Sequence, residues 1–190
     1  MKLRLDLLRH GETERGGGFR GSLDDALSPA GWASLEAAVE GQGPWDGIVT
    51  SPLQRCAAFA CDLAQRLSLP CTTVPGLSEL HFGHWEGRSA ADLMVDQAEA
   101  LGRFWQDPFA YTPPGGEPLL AFTARIESAL AALGEEHPGQ RLLVVSHAGV
   151  MRLLLARARG LADSDLLQVE VAHGALHRVA ITDAGALVAL

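Results

Sequence analysis

The chain has 190 residues, 47% of them apolar, and its 15 basic against 23 acidic residues leave a net charge of −8. That balance argues against a nucleic-acid partner, and no apolar stretch reaches the length of a membrane span. The length suits one domain, residues 1–190, with room for a substantial core. The opening Met-Lys-Leu-Arg-Leu-Asp puts an acid where a secretory signal would be apolar, so a cytoplasmic protein is expected.

In chain order, Leu3, Leu5 and Leu7 alternate with Arg4 and Asp6, which predicts a strand over Leu3–Leu8 with one buried face. It runs into Arg9, His10, Gly11, Glu12 and Thr13 rather than into ordinary turn residues. Gly16-Gly-Gly-Phe-Arg-Gly21 formally fits G-x-G-x-x-G, but no helix opens on it. A flexible substrate loop is the better reading, with Arg20 as a phosphate or substrate contact. Ser28 caps a predicted helix over Pro29–Glu40, ended by Gly41. A strand over Gly47–Thr50 precedes Ser51 and Pro52, read as cap and first helical residue, which puts Arg55 on the first helical turn. Cys56, Cys61 and Cys71 lack metal-ligand spacing and read as reduced, partly buried thiols.

A short strand is expected near Thr72–Val74. A helix is expected over Ala90–Trp105, with Ser89 and Asp92 at capping-box spacing. Tyr111–Glu117 is a Pro/Gly loop. A helix follows over Leu119–Leu133, with Leu120, Ala124, Ser128 and Leu133 drifting around its face. Leu142–Val145 reads as a strand buried on both faces. It ends in Ser146-His147-Ala148-Gly149 and leads to a helix over Val150–Arg159, stopped by Gly160. Strands close the chain near Leu176–Ile181 and Leu187–Leu190. This alternation implies a three-layer α/β/α sandwich around a mixed, mostly parallel sheet. Ligands of such folds sit beyond the carboxyl ends of the strands. Three strands therefore bring Arg9, His10, Arg55 and His147 to one edge, and a crowd of nitrogen-rich groups on an acidic protein suits a bound anion.

The stretch Leu7-Leu-Arg9-His10-Gly-Glu-Thr13 resembles the signature of the histidine phosphatase (phosphoglycerate mutase-like) superfamily. The likeness continues through Ser51-Pro-Leu-Gln-Arg55, Leu77-Ser-Glu79-Leu-His-Phe-Gly-His-Trp-Glu-Gly87 and Val145-Ser-His147-Ala-Gly149, in the family's order. The resemblance implies a phosphomonoesterase working through phosphohistidine. His10 is then the nucleophile, Arg9 and Arg55 clamp the phosphate, His147 donates to a nonbridging oxygen, and Glu79 is the general acid. Thr13, Arg20 and Ala148 complete the expected substrate contacts. Neither metal nor cofactor is expected, the arginines and His147 carrying the charge.

Other residues invite weaker readings. Glu86 competes with Glu79 but aligns as structural, and Glu12 is expected to hold backbone or a histidine in place. His81 and His84 lack further ligands for a metal. His137 and His177 carry no motif, whereas His173 sits where the family often places a loop near its site. Gly16 stands where many members carry Asn, so Arg20 or backbone N–H groups must replace that donor. Within the family the likeness is closest to the α-ribazole phosphatases, with Phe19 or Trp85 available to stack on a flat base. A sugar-phosphate or fructose-bisphosphate phosphatase, a mutase and a catalytically silent phosphate-binding domain are the alternatives. The expected partner is a small phosphomonoester, with no membrane, and the oligomeric state is left open, a homodimer included.

Overall fold

The structure is a computed structural model describing residues 2–190. Its elements are β1 (Leu3–Arg9), α1 (Pro29–Val39), β2 (Gly47–Thr50), α2 (Gln54–Leu67), β3 (Cys71–Thr73), α3 (Ala90–Asp96), α4 (Ala98–Gln106), α5 (Leu119–Glu136), β4 (Arg141–Ser146), α6 (Ala148–Ala158), β5 (Leu176–Ile181) and β6 (Leu187–Ala189). The strands form one sheet in the order β3-β2-β4-β1-β5-β6. The pairs β2–β3, β2–β4 and β1–β4 are parallel, while β1–β5 and β5–β6 are antiparallel. The expected mixed, mostly parallel sheet is what forms.

Two apolar clusters cover its two faces, which makes the fold three-layered. Leu3, Leu5, Leu7, Leu142 and Val144 join α5 and α6 on one side. Leu8, Ile48, Leu143 and Val145 meet α1 and α2 on the other. Burial on both faces explains why the middle of β4, Leu142–Val145, is a continuous apolar run. It also corrects the reading of Asp6, which is not a solvent-facing residue but only 1% exposed. Its carboxylate accepts hydrogen bonds from Trp45 Nε1 at 3.0 Å and from Arg141 Nη2 at 2.7 Å, as a buried charge must.

Three other local expectations change. The helix over Ala90–Trp105 is two helices, broken at Gln97, whose side-chain oxygen accepts from Trp85 Nε1 at 2.7 Å. The Ser89–Asp92 capping box is present. Helix α5 runs on to Glu136 and buries Leu119, Phe122, Ile126 and Leu133, while Leu120, Ala124 and Ser128 face solvent. Ser51 does not cap α2. Helix α2 starts at Gln54, whose N–H is taken by the Asp24 carboxylate at 2.7 Å, although Arg55 still falls on its first turn. Ser28 caps α1 as expected, accepting from Gly31 N–H at 3.0 Å.

The loop after β1 meets the first turn of α1 backbone on backbone. A Cβ on Gly11 would lie 2.1 Å from the Gly31 carbonyl oxygen, and one on Gly31 would lie 2.1 Å from that of Glu12. Among the described residues, no helix is long and apolar enough to cross a membrane.

Candidate active site

The carboxyl ends of β1 and β4 and the start of α2 converge beside a cavity of about 380 Å³. Arg9, His10, Thr13, Arg20, Glu79, Ala148, Arg152 and His173 line it. Arg55 and His147 lie behind that lining, both 0% exposed. The His10 and His147 rings are 5.3 Å apart, edge on. The structure thus brings together the four groups expected at this edge, two of them inside the wall.

His10 Nδ1 is 2.8 Å from the Gly11 carbonyl oxygen. A carbonyl can only accept, so the ring proton sits on Nδ1 and Nε2 keeps its lone pair. Burial, aided by the charges of Arg55, Arg9 and His173, pushes the His10 pKa down to about 3 against the pull of the Gly11 carbonyl. Burial likewise holds His147 well below the ordinary histidine range, with Arg55, His10, Arg125 and Arg9 adding to the effect. His147 Nε2 bonds the Ser51 hydroxyl at 2.7 Å, and the Cys56 thiol lies 3.6 Å from the same nitrogen. That contact is what Ser51 does in place of capping a helix.

The arginines are oriented by backbone oxygens. Arg9 donates to the Val171 carbonyl at 2.5 Å and meets His173 Nε2 at 2.9 Å. Arg55 donates to the carbonyls of Leu23 at 2.6 Å and Gly21 at 2.9 Å. In both residues Nε is buried and has no acceptor among the described residues. Two buried cationic donors left over in one site suit a multiply charged anion, because a buried unpaired donor costs about 1–3 kcal/mol or more until it is satisfied.

Glu79 accepts from Gly149 N–H at 3.0 Å through Oε2 and from Leu80 N–H at 3.0 Å through Oε1. Gly149 is the second residue of α6, so the carboxylate sits at a helix N-terminus, where negative charge is favoured. Arg125 holds the segment from below, donating to the carbonyls of Gly76, Ser78 and Glu79 at 2.7–2.9 Å. Glu86 accepts from the backbone N–H groups of Ser22 and Leu23, both at 2.8 Å, and ties the 20s loop to the 80s loop. That is the structural part expected of it. Glu12 acts through its carbonyl, which accepts from Ser28 N–H at 2.9 Å, while its side chain is exposed.

Two expectations need correction. Arg20 lines the cavity, but its guanidinium pairs with Asp25 and donates to the carbonyls of Gly16 at 3.0 Å and Arg15 at 2.8 Å. Its charge is neutralised within its own loop, so it shapes that loop rather than standing free to meet an anion. Trp85 is 0% exposed, packed against Phe104 and bonded to Gln97, and cannot stack on a ligand. Phe19 remains at the cavity, its ring 5.0 Å from Phe82. Arg152 is the residue the sequence reading missed. It stands four residues after Ala148, one helical turn on along the same face of α6, and that spacing is the signal that could have found it. A second cavity, of about 260 Å³ and walled by Phe104, Trp105, Phe122 and Leu167, shares Phe19, Glu79, Phe82 and Arg152 with the first.

Residues 5–190 match the histidine phosphatase superfamily (branch 1), and the chain belongs to that family. It is 34% identical to the adenosylcobalamin/alpha-ribazole phosphatase of Escherichia coli K12 over 90% of this chain and 87% of the relative. It is 32% identical to the glucosyl-3-phosphoglycerate phosphatase of Mycobacterium tuberculosis H37Rv, over 80% of this chain and 74% of that protein. The crystal structure of the alpha-ribazole phosphatase from Shigella flexneri superposes with a TM-score of 0.85 at 31% identity, covering 98% of this chain and 94% of that one. The protein is therefore a phosphatase that hydrolyses phosphomonoesters.

The histidine shifts have a consequence for stability. Between the unfolded value near 6.5 and the folded value near 3, the unfolded chain binds a proton on His10 that the folded chain does not. Stability therefore falls as pH drops through that window. Calorimetry from pH 7 to pH 4 should show a declining Tm, with a shallower decline in His10→Gln. Equal slopes would contradict the assignment of His10 as a buried neutral imidazole.

Proposed function

We propose that the chain, acting as one domain over residues 1–190, hydrolyses α-ribazole 5′-phosphate to α-ribazole and phosphate through a phosphohistidine, a step of cobalamin assembly. The observation that carries the chemistry is the neutral His10, with Nδ1–H on a carbonyl and a free lone pair on Nε2, beside two buried arginine donors that find no acceptor among the described residues. In this reading Nε2 attacks phosphorus in line as the bond to the leaving oxygen breaks. Glu79 in its acid form protonates that oxygen. The resulting carboxylate then takes a proton from water, which attacks the phosphohistidine, releasing phosphate and restoring His10. Arg9 and Arg55 offset the charge spread over the phosphoryl oxygens, and the neutral His147 donates a hydrogen bond to one of them. Thr13 and the Ala148 N–H at the start of α6 complete the contacts to phosphate, and Arg20 holds the loop that closes over them.

The substrate assignment rests on the relatives and on the shape of the site. The aromatic-walled chamber adjoins the phosphate cavity at Glu79, where a leaving group must lie, and Phe19 spans both. Its apolar walls suit a flat base better than a polyhydroxyl sugar. The ratio of kcat/KM for α-ribazole 5′-phosphate to that for sugar phosphates, fructose bisphosphate and glucosyl-3-phosphoglycerate tests this. A preference of at least about tenfold, or ~1.4 kcal/mol of differential transition-state binding, is expected. A smaller ratio, or net isomerisation of a phosphoglycerate, would overturn the substrate and leave the phosphatase.

A further inference from the structure

The protein carries a second pair of chemically reactive groups away from its active site. Cys61 lies on the solvent side of α2, and Cys71 opens β3, the edge strand of the sheet. Their sulfurs are 3.7 Å apart, although ten residues separate them in sequence. A compact return sets that proximity. Ser68 ends α2 in the left-handed conformation, its N–H reaching the carbonyl of Gln65, while Leu69 N–H bonds that of Ala64 at 2.9 Å. Ile48 N–H then holds the Pro70 carbonyl at 2.9 Å. The chain doubles back over the last turns of α2 and brings the second thiol against the first.

We propose that Cys61 and Cys71 form a dithiol that is converted to an intramolecular disulfide by exchange with a low-molecular-weight disulfide. The thiolate of Cys61 attacks one sulfur of the small disulfide, forming a mixed disulfide and releasing one thiolate. Cys71 then attacks the Cys61 sulfur, the Cys61–Cys71 bond forms, and the second small thiolate leaves. The two cysteine protons end on the two released thiols, and the two electrons the cysteines lose reduce the small disulfide. Burial and the adjacent Cys61 push the Cys71 thiol up to about 11, so the more exposed Cys61 reacts first. From 3.7 Å, side-chain rotation and a small approach bring the sulfurs to the bonding distance of about 2.0 Å.

Cys56 serves as an internal control. It lies on the same helix, five residues before Cys61, but is wholly buried beside His147 with its thiol pushed far up by burial. A reagent that modified thiols indiscriminately would have to unfold the protein to reach it. The exchange also sits apart from the cavity residues, so hydrolysis should continue in the oxidised form.

The test is to treat the folded protein with oxidised glutathione, denature it, alkylate the remaining thiols and digest with trypsin. The expected product joins peptide 56–66 to peptide 67–88 through Cys61 and Cys71, with Cys56 alkylated and no glutathione retained. Closing a loop of this length should also raise Tm by roughly 5–10 °C. In Cys61→Ser, an exposed substitution that leaves the fold intact, no joined peptide forms and any glutathione taken up by Cys71 stays on it. Stable glutathione on both cysteines of the wild type, three free thiols, or oxidation of Cys56 at the rate of the pair would each overturn the proposal.

Discussion

Replacing His10 by alanine is expected to lower turnover by roughly 10³-fold or more and to abolish covalent labelling. In the wild type, a brief incubation with labelled substrate should leave a phosphoryl group that survives base and is lost in acid, as a phosphoramidate is. The expectation follows from one geometric fact. The Gly11 carbonyl accepts the hydrogen bond from Nδ1–H, so the nitrogen with the free pair is Nε2, and burial together with Arg55 and Arg9 keeps it unprotonated. The nucleophile therefore needs no base to activate it. Undiminished labelling of His10→Ala would remove His10 from the mechanism. Tm of the variant should be read alongside, since the ring also packs against His147 and His173.

Glu79→Gln is expected to divide substrates by their leaving groups. Alkyl esters, whose oxygen must be protonated as it departs, should lose about 10²–10⁴-fold in turnover. Aryl phosphates leave as stable phenolates and should lose far less in the phosphorylation step. Glutamine cannot reproduce both hydrogen bonds of Glu79, since one oxygen accepts from Gly149 and the other from Leu80. A modest fall in Tm should accompany the variant, and it affects both substrate classes alike. Equal losses on alkyl and aryl esters would reduce Glu79 to a structural carboxylate. Glu86→Gln is the contrasting variant. It should loosen the 20s loop and raise KM without distinguishing the classes, because its oxygens are engaged by Ser22, Leu23 and Phe82.

Much of this was legible in the sequence, and the reasons differ from element to element. The strands were readable because β1 alternates leucine with charged residues while β4, buried on both faces, carries a continuous apolar run, and because His10 and His147 follow them directly. The cap of α1 was readable because Ser28-Pro29 is a local signal that no tertiary contact overrides. Helix α2 misled for the opposite reason: its cap, Asp24, comes from a distant loop, and Ser51 was engaged by His147 instead. Asp6 looked solvent-facing because its partners, Trp45 and Arg141, are brought in by other segments. At the site, Arg20 looked free because Asp25, its neutralising partner, carried no motif. Arg152 was passed over because it lies beyond the recognisable block, and only the helical turn from Ala148 brings it to the cavity.

The bare contact between Gly11 and Gly31 has a consequence for how this scaffold can change. The two positions form a joint without side chains, so the segment bearing Arg9 and His10 is seated directly on α1. A substitution at either position displaces main chain, and no compensating change at the other can make room, since neither has anything left to remove. At Gly149 the conflict is with a side chain: a Cβ would lie 2.3 Å from Glu79 Oε1, so a substitution there would push that carboxylate out of its place. Saturation libraries of this protein should therefore divide sharply, with these three sites recovered almost entirely as glycine among active clones. Phe19, Trp105 and Leu167, around the chamber, should accept diversity and carry whatever new substrate preference is selected.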